Sequence, residues 1–170
     1  LHVANFPFED AGPGGADLRF LAGDDKTPLN HHFEMYDSAE QIAVAWVQLP
    51  PASTDAAARS VWMYYGNRNA PPAATARGTY DASDTAVFHF AEKEGLPRDV
   101  TSYGTQVASF TGRLGAGGIV DGGARFTPAQ GLVLATAPQL DIVPAKGFSA
   151  SFWLKLDDAD ASGLVLSRAQ

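Results

Sequence analysis

"SVWMYYGNRNAPPAATARG" covers residues 60–78 and joins a run of large apolar side chains to a segment rich in Pro, Ala and Gly. Within residues 61–65, Val, Met and Tyr at odd positions alternate with Trp and Tyr at even positions, as in a β-strand. Because both sets are apolar, the pattern predicts a central strand that is buried on both faces. The Pro-Pro pair favours an extended connector. The stretch therefore predicts the last strand of one unit and a boundary to the next.

Short apolar runs of the same kind occur along the rest of the chain, separated by its 17 Gly and 11 Pro residues. "HHFEMYD" (31–37) places Phe33 and Met35 opposite His32, Glu34 and Tyr36. "QIAVAWVQL" (41–49) is apolar on both faces and predicts another central strand, and "GFSASFWLKLDDADASGLVLSR" (147–168) predicts a hairpin. The sequence thus predicts an all-β chain of two antiparallel, jelly-roll-like β-sandwich units, residues 1–78 with the linker and residues 79–170, the second of them incomplete.

Composition excludes several classes of partner. The 170 residues carry a formal net charge of -7, which disfavours nucleic acids and anionic membranes. No apolar run is long enough to cross a bilayer, so we expect no direct membrane insertion from this segment. The chain has no Cys, and disulfides and thiolate metal sites are therefore excluded. Because Leu1 begins abruptly in strand-like sequence, we expect a piece of a longer precursor whose targeting or membrane segments lie elsewhere.

Two groups of residues raise the question of a metal. Neighbouring side chains on a strand point to opposite faces, so His31 and His32 cannot share one ion without ligands from elsewhere. In "DDADASG", Asp158 and Asp160 follow the start of a calcium loop, and they are the candidate ligands for Ca²⁺. An ordinary solvated turn explains the same residues, since Asp, Ser and Gly are favoured there. No other cofactor is predicted.

No catalytic residues are predicted, because the sequence lacks a nucleophile elbow and a phosphate-binding loop. His89 lies in an apolar strand and is predicted to be a packed, hydrogen-bonded residue. Exposed aromatic side chains bind sugars by stacking on their apolar faces. The candidates for ligand binding are Tyr80, Tyr103, Trp62 and Tyr64. The alternative is that aromatic residues in strands belong to the core, and it is favoured for Trp46, Trp62 and Trp153.

Two resemblances go beyond these patterns. The phrases "ADLRFLAGDDKTPLNHHFEMYD", "AWVQLP" and "VWMYYGN" within residues 1–82 resemble the bacterial and archaeal module called domain of unknown function 2341. The phrases "AVFHFAE", "GLPRDVTSYG", "GGARFTPAQGLVLA" and "FSASFWLKLDDADASGLVLSR" within residues 85–170 resemble the first half of a laminin-G-like, concanavalin A-like domain. The pairing is similar to the extracytoplasmic part of some bacterial proteins related to ExbB, TolQ and MotA.

These resemblances imply an extracytoplasmic location, in the periplasm or at the cell surface, with a tether outside this chain. We expect a non-catalytic recognition module for a glycan or an envelope protein, within a larger membrane-anchored protein related to proton-channel systems. One alternative is a structural spacer or assembly domain. Another is a fragment of a carbohydrate-active enzyme.

Overall fold

A computed structural model of the chain describes residues 1–51, 54, 59–143, 145, 147–158, 160 and 162–168. In this part of the chain, nine strands pair only in antiparallel fashion. The strands are β1 (Arg19–Ala22), β2 (Pro28–Leu29), β3 (His31–Asp37), β4 (Ile42–Val47), β5 (Val61–Tyr64), β6 (Val107–Phe110), β7 (Arg113–Gly117), β8 (Gly122–Arg125) and β9 (Leu132–Leu134). One short α-helix, α1, spans Ala76–Thr79, and two 3₁₀ turns span Pro13–Gly15 and Pro138–Leu140 in the described ranges. The predicted all-β class is confirmed.

The strands form one sheet in the order β2-β1-β5 and three pairs, β3-β4, β6-β9 and β7-β8. The main core lies where the three-stranded sheet meets the β3-β4 pair, and Leu18 at its centre is fully buried. The side chains of β1 alternate between its two faces. Phe20 and Ala22 are buried on the core side, whereas Arg19 and Leu21, on the other side, are only half-buried. The remaining buried apolar members of the core are Phe6, Phe8, Ala11 and Ala43.

Strand β3 is interrupted by a β-bulge. Phe33 pairs with Ala45, but Met35 pairs with Val44, so Glu34 is an extra residue on this strand. The bulge reverses the alternation beyond it. Tyr36 therefore packs against Phe33, with ring centroids 5.3 Å apart, on the core side. The prediction that Tyr36 shares the face of His32 and Glu34 is wrong for this reason.

The two strands predicted to be central lie at sheet edges. Among the described strands, β4 pairs only with β3, and β5 pairs only with β1. Their tryptophans lie on the faces that point away from the main core and are exposed, Trp46 by 37% and Trp62 by 49%, and Trp153 is 79% exposed in the second half of the chain. The prediction that these three tryptophans are core residues is wrong. An apolar run does not by itself say how many neighbours a strand has, and surfaces of folded proteins contain much apolar area.

The predicted hairpin in residues 147–168 does not form in the described part of that segment, which contains no strand. Its apolar side chains are exposed, as Phe148 (58%), Leu154 (57%) and Leu164 (80%) show. An isolated two-stranded hairpin is only marginally stable in water and needs a third strand or a helix to pack against. The alternation of apolar and polar residues in this segment therefore predicted strands that do not form in its described part. The division of the chain at residue 78 stays a prediction.

A half-buried carboxylate, that of Asp99, organises the loop before β6. Asp99 Oδ1 accepts hydrogen bonds from the backbone N–H groups of Val87 (3.0 Å) and Thr101 (2.9 Å). Asp99 Oδ2 accepts from the Thr101 hydroxyl (2.8 Å) and the Thr105 backbone N–H (2.7 Å). Burial alone would raise the pKa of Asp99, but these hydrogen bonds outweigh burial and lower the pKa below its ordinary value of 3.8.

We expect this loop to lose stability in acid. Because the folded pKa of Asp99 lies below the unfolded one, its contribution is fully present above about pH 4 to 5 and disappears as the pH falls through the folded pKa. Thermal unfolding of the wild type and of Asp99→Asn at neutral pH and near pH 3 measures this effect. The variant should be less stable at neutral pH, and its melting temperature should fall less on acidification. An equal fall in both proteins would contradict the assignment.

Candidate functional site

A polar cluster lies on the side of β3 and β4 that faces away from the main core. His32 and Glu34 come from β3, and Trp46 comes from β4, where it pairs directly with His32. His89 reaches the same place from the segment that follows the linker, and Tyr80 follows α1. We call these five residues the histidine cluster. They join residues 80–89 to the first hairpin.

Glu34 is the centre of the cluster. Its Oε2 atom lies 2.7 Å from Nδ1 of His89 and accepts a hydrogen bond of 2.6 Å from the indole N–H of Trp46. The Glu34 side chain is only 2% exposed. Burial alone would raise the pKa of Glu34, but the hydrogen bonds from His89 and Trp46 and the attraction of His89 lower it. Glu34 is therefore an ionised acceptor that fixes the His89 ring.

Hydrogen bonds also determine which nitrogen of His32 carries its proton. The Thr79 hydroxyl donates to the backbone carbonyl of Thr75 at 2.8 Å, so its hydrogen is already used. Nδ1 of His32, 3.2 Å from the same hydroxyl, must then be the donor. Burial lowers the pKa of His32, and the neighbouring His89 lowers it further. The neutral ring consequently holds its free lone pair on Nε2.

The Nε2 atoms of the two histidines face each other. Nε2 of His32 and Nε2 of His89 are 3.4 Å apart, and the Tyr80 hydroxyl is 3.0 Å from Nε2 of His89. Burial, then the charges of Glu34 and Asp84, raise the pKa of Tyr80, so its hydroxyl is protonated at neutral pH. Among the described residues, His32, Glu34 and His89 form the one group of three metal-ligating side chains whose ligand atoms all lie within 4.8 Å.

An open depression of about 320 Å³ lies beside the cluster, and His32, Glu34 and His89 are among the residues that line it. Glu92 also lines it. One carboxylate oxygen of Glu92 accepts the backbone N–H of Arg98 at 2.9 Å. The other is buried and has no hydrogen-bond partner in the described part of the chain. The cluster is thus reachable from solvent at a place where a carboxylate oxygen is unsatisfied.

Sequence reasoning found part of this cluster. The prediction that His31 and His32 point to opposite faces is confirmed, because His31 packs in the core at 4.9 Å from the ring of Phe20 while His32 faces His89. His89 is packed and hydrogen-bonded as predicted, but it is half-buried and lies outside the described strands, beside an isolated bridge at Phe88. The pairing of His89 with Glu34 was missed. The spacing of His32 and Glu34 on one strand face was the available signal, but nothing in the sequence pointed to their partner 55 residues beyond Glu34.

The predicted ligand-binding residues Trp62 and Tyr64 lie side by side on a second surface. Trp62 is the partner of Leu21 on β1, and Tyr64 is the partner of Arg19. Direct partners in an antiparallel pair point to the same face. Phe20 and Met63 occupy the opposite face, against the core. We call the side formed by Arg19, Leu21, Trp62 and Tyr64 the aromatic face.

The aromatic face combines exposed rings with fixed polar groups. Trp62 is 49% and Tyr64 is 48% exposed. The Tyr64 hydroxyl donates to Asp25 Oδ1 at 2.8 Å. The Arg19 guanidinium donates to the carbonyls of Ala16 (3.0 Å) and Leu18 (2.8 Å), and to that of Pro71 in the linker. The rings are therefore accessible, and hydrogen-bonding groups lie at their margin.

The other predicted site residues lie apart from both surfaces or belong to the cluster. Tyr80 is half-buried within the histidine cluster. Tyr103 is 42% exposed, and its hydroxyl donates to the carbonyl of Ala82 at 3.0 Å. Asp158 is exposed, and its Oδ1 accepts the backbone N–H of Asp160 at 3.0 Å, which is the geometry of an Asx-turn. The calcium role of Asp158 and Asp160 stays a prediction.

The described part of the chain is thus an antiparallel all-β module with a histidine cluster and an exposed aromatic face. The model of the domain of unknown function DUF2341 matches residues 14–106, more than half of the chain, and the chain belongs to this family. Both surfaces lie within the matched residues. No curated protein and no solved structure gives a significant match. No helix in the described ranges combines the length and the hydropathy needed to cross a membrane.

Proposed function

We propose that the chain is a non-catalytic recognition module that binds a neutral glycan on its aromatic face. The observation that carries this proposal is the pair Trp62 and Tyr64, each about half exposed and both on one side of β5. Two residues along a strand are about 7 Å apart, so one extended oligosaccharide can contact both rings. Aromatic rings with a few polar groups beside them are the usual way in which proteins hold apolar ligand surfaces.

The negative charge of the chain favours a neutral glycan over an anionic one. The chain has a formal net charge of -7, and Asp25 stands at the margin of the aromatic face, where the Arg19 guanidinium is already hydrogen-bonded to three backbone carbonyls. A carboxylate accepts hydrogen bonds from sugar hydroxyls but repels an anionic polysaccharide. A neutral sugar chain is therefore the ligand that fits this surface.

The resemblances in the sequence support an extracytoplasmic place for this activity. We propose that residues 79–170 are part of a laminin-G-like domain and that the whole protein is related to the ExbB, TolQ and MotA systems. In such a protein the module would lie in the periplasm or at the cell surface, tethered through other segments. A recognition module there would hold its membrane-anchored protein next to an envelope glycan.

A protein partner is the second candidate, and the outer edge of β5 favours it. Among the described strands, β5 pairs only with β1 on one side, so its other edge leaves backbone groups free. An extended peptide can add to such an edge as a further strand. This binding would depend on the backbone of β5 rather than on the exposed rings of Trp62 and Tyr64.

A glycan array of neutral and anionic sugars tests the proposal. We expect retention of neutral glycans and loss of at least about tenfold in affinity for Trp62→Ala, which corresponds to about 1.4 kcal/mol of stacking. Trp153→Ala is the matched control, since Trp153 is 79% exposed but lies outside the aromatic face. A flat array would refute glycan recognition and favour a spacer or a protein partner. Equal loss in both variants would also count against the aromatic face.

A further inference from the structure

We propose that the histidine cluster is a zinc-class metal site, in which Nε2 of His32 and Nε2 of His89 are the ligands and Glu34 orients His89. The Tyr80 hydroxyl, which lies 3.0 Å from Nε2 of His89, would have to release that nitrogen when an ion binds. This site is separate from the aromatic face, and it does not depend on glycan binding.

The distance between the two nitrogens fits a tetrahedral ion. Zinc binds imidazole nitrogen at about 2.0–2.1 Å, and two ligands at a tetrahedral angle are then about 3.3–3.4 Å apart. The observed separation of His32 Nε2 and His89 Nε2 is 3.4 Å.

The protons of the two rings are directed away from this point. Nδ1 of His32 donates to Thr79, and Nδ1 of His89 donates to Glu34. In their neutral forms, both rings therefore direct a lone pair into the same gap. Without an ion, the Tyr80 hydroxyl donates to Nε2 of His89 at 3.0 Å, while Nε2 of His32 meets no donor other than His89 in the described part of the chain. A divalent ion bound by both nitrogens would take the place of the Tyr80 proton at His89 and satisfy the lone pair of His32.

The surroundings of the rings have the form that supports metal-binding histidines. Such a histidine usually donates its other N–H to a carboxylate or another oxygen, which fixes the ring and strengthens the ligand. Glu34 supplies this carboxylate for His89, and Trp46 in turn fixes Glu34 through a hydrogen bond of 2.6 Å. Thr79 supplies the oxygen for His32. Both rings are thus held in place before an ion arrives.

The donor set selects the class of metal. Two imidazoles with oxygen donors suit zinc, nickel or copper, whereas calcium and magnesium prefer oxygen alone. The depression beside the cluster gives an ion access from solvent, and water can complete the coordination there. Glu92, with its unsatisfied buried oxygen, lines that access route.

Calorimetric titration of tag-free, metal-depleted protein with zinc chloride at neutral pH tests the site. We expect one ion per chain and binding at least about tenfold weaker in His32→Gln. His2→Ala is the matched control, because His2 is exposed and, among the described residues, its side chain hydrogen-bonds only to the backbone N–H of Ala4. Its binding should equal that of the wild type. Cobalt in place of zinc should give the strong visible absorption of a four-coordinate site.

A second measurement does not depend on the folding of any variant. In the wild type, side-chain ¹⁵N spectra should show that zinc shifts Nε2 of His32 and of His89 and leaves both nitrogens of His31 unchanged. The absence of zinc binding, or binding that His32→Gln leaves intact, would overturn the proposal. A shift at His2 alone would do the same. In those cases the two rings share a proton as a structural hydrogen bond.

Discussion

Gly15→Ala is expected to lower the free energy of unfolding by about 2–5 kcal/mol, the sum of backbone strain and overpacking. Gly15 has a φ of +70°, in the left-handed region that disfavours a side chain. A Cβ atom there would also lie 2.7 Å from a ring carbon of Tyr36 and 2.9 Å from two ring carbons of Phe33. Both rings belong to the packed side of β3, so they cannot move aside without disturbing the core.

The neighbouring glycine is the control for this experiment. Gly14 has a φ of +63°, but a Cβ atom added to it would meet no other atom within 4 Å, so Gly14→Ala carries the backbone strain alone. We expect it to cost about 1 kcal/mol. Denaturant unfolding of the two variants beside the wild type measures the difference. Equal destabilisation by the two substitutions would show that Tyr36 and Phe33 do not pack against this turn as described.

Asp17→Ala is expected to lower the free energy of unfolding by about 2–4 kcal/mol, because it leaves two backbone donors without their charged acceptor. Asp17 is 3% exposed. Its Oδ1 accepts the N–H of Gly12 at 2.6 Å, and its Oδ2 accepts the N–H of Gly66 at 2.7 Å. It therefore joins the turn before β1 to the end of β5.

Asp10→Ala controls for the loss of a negative charge near the same segment. Asp10 is exposed, and its carboxylate makes no hydrogen bond to any residue that the structure describes. We expect its effect on denaturant unfolding to stay within about 0.5 kcal/mol. If Asp17→Ala were as mild as Asp10→Ala, the connection between Gly12 and Gly66 would not contribute to stability.

The class of fold follows from sequence features that are local. Glycine and proline limit the length of each apolar run, and alternation within "DLRFLAG" and "HHFEMYD" marks strands whatever their partners are. For the same reason, the sequence predicts that His31 and His32, as neighbours on one strand, point to opposite faces. These properties depend on the backbone of one strand, so they could be predicted without knowing the sheet.

The predictions that were wrong concern properties that depend on residues far away in the sequence. Whether β4 and β5 are central or edge strands depends on which strands pair with them, and the exposure of Trp46 and Trp62 depends on which residues cover their face of the sheet. The bulge at Glu34 is a feature of the β3-β4 pair, and the residue type at this position does not predict it. In the same way, His89 meets Glu34 only because the chain returns to β3 after the linker.

The three tryptophans of the chain permit one direct measurement of the central claim, that the aromatic face is where a glycan binds. In a ¹H–¹⁵N spectrum, Trp46, Trp62 and Trp153 each give one indole signal. Titration with the neutral glycan that the array retains most strongly should shift the Trp62 signal and leave those of Trp46 and Trp153 in place. A Trp62 signal that does not move while the glycan binds, or the absence of any retained neutral glycan, would contradict the account.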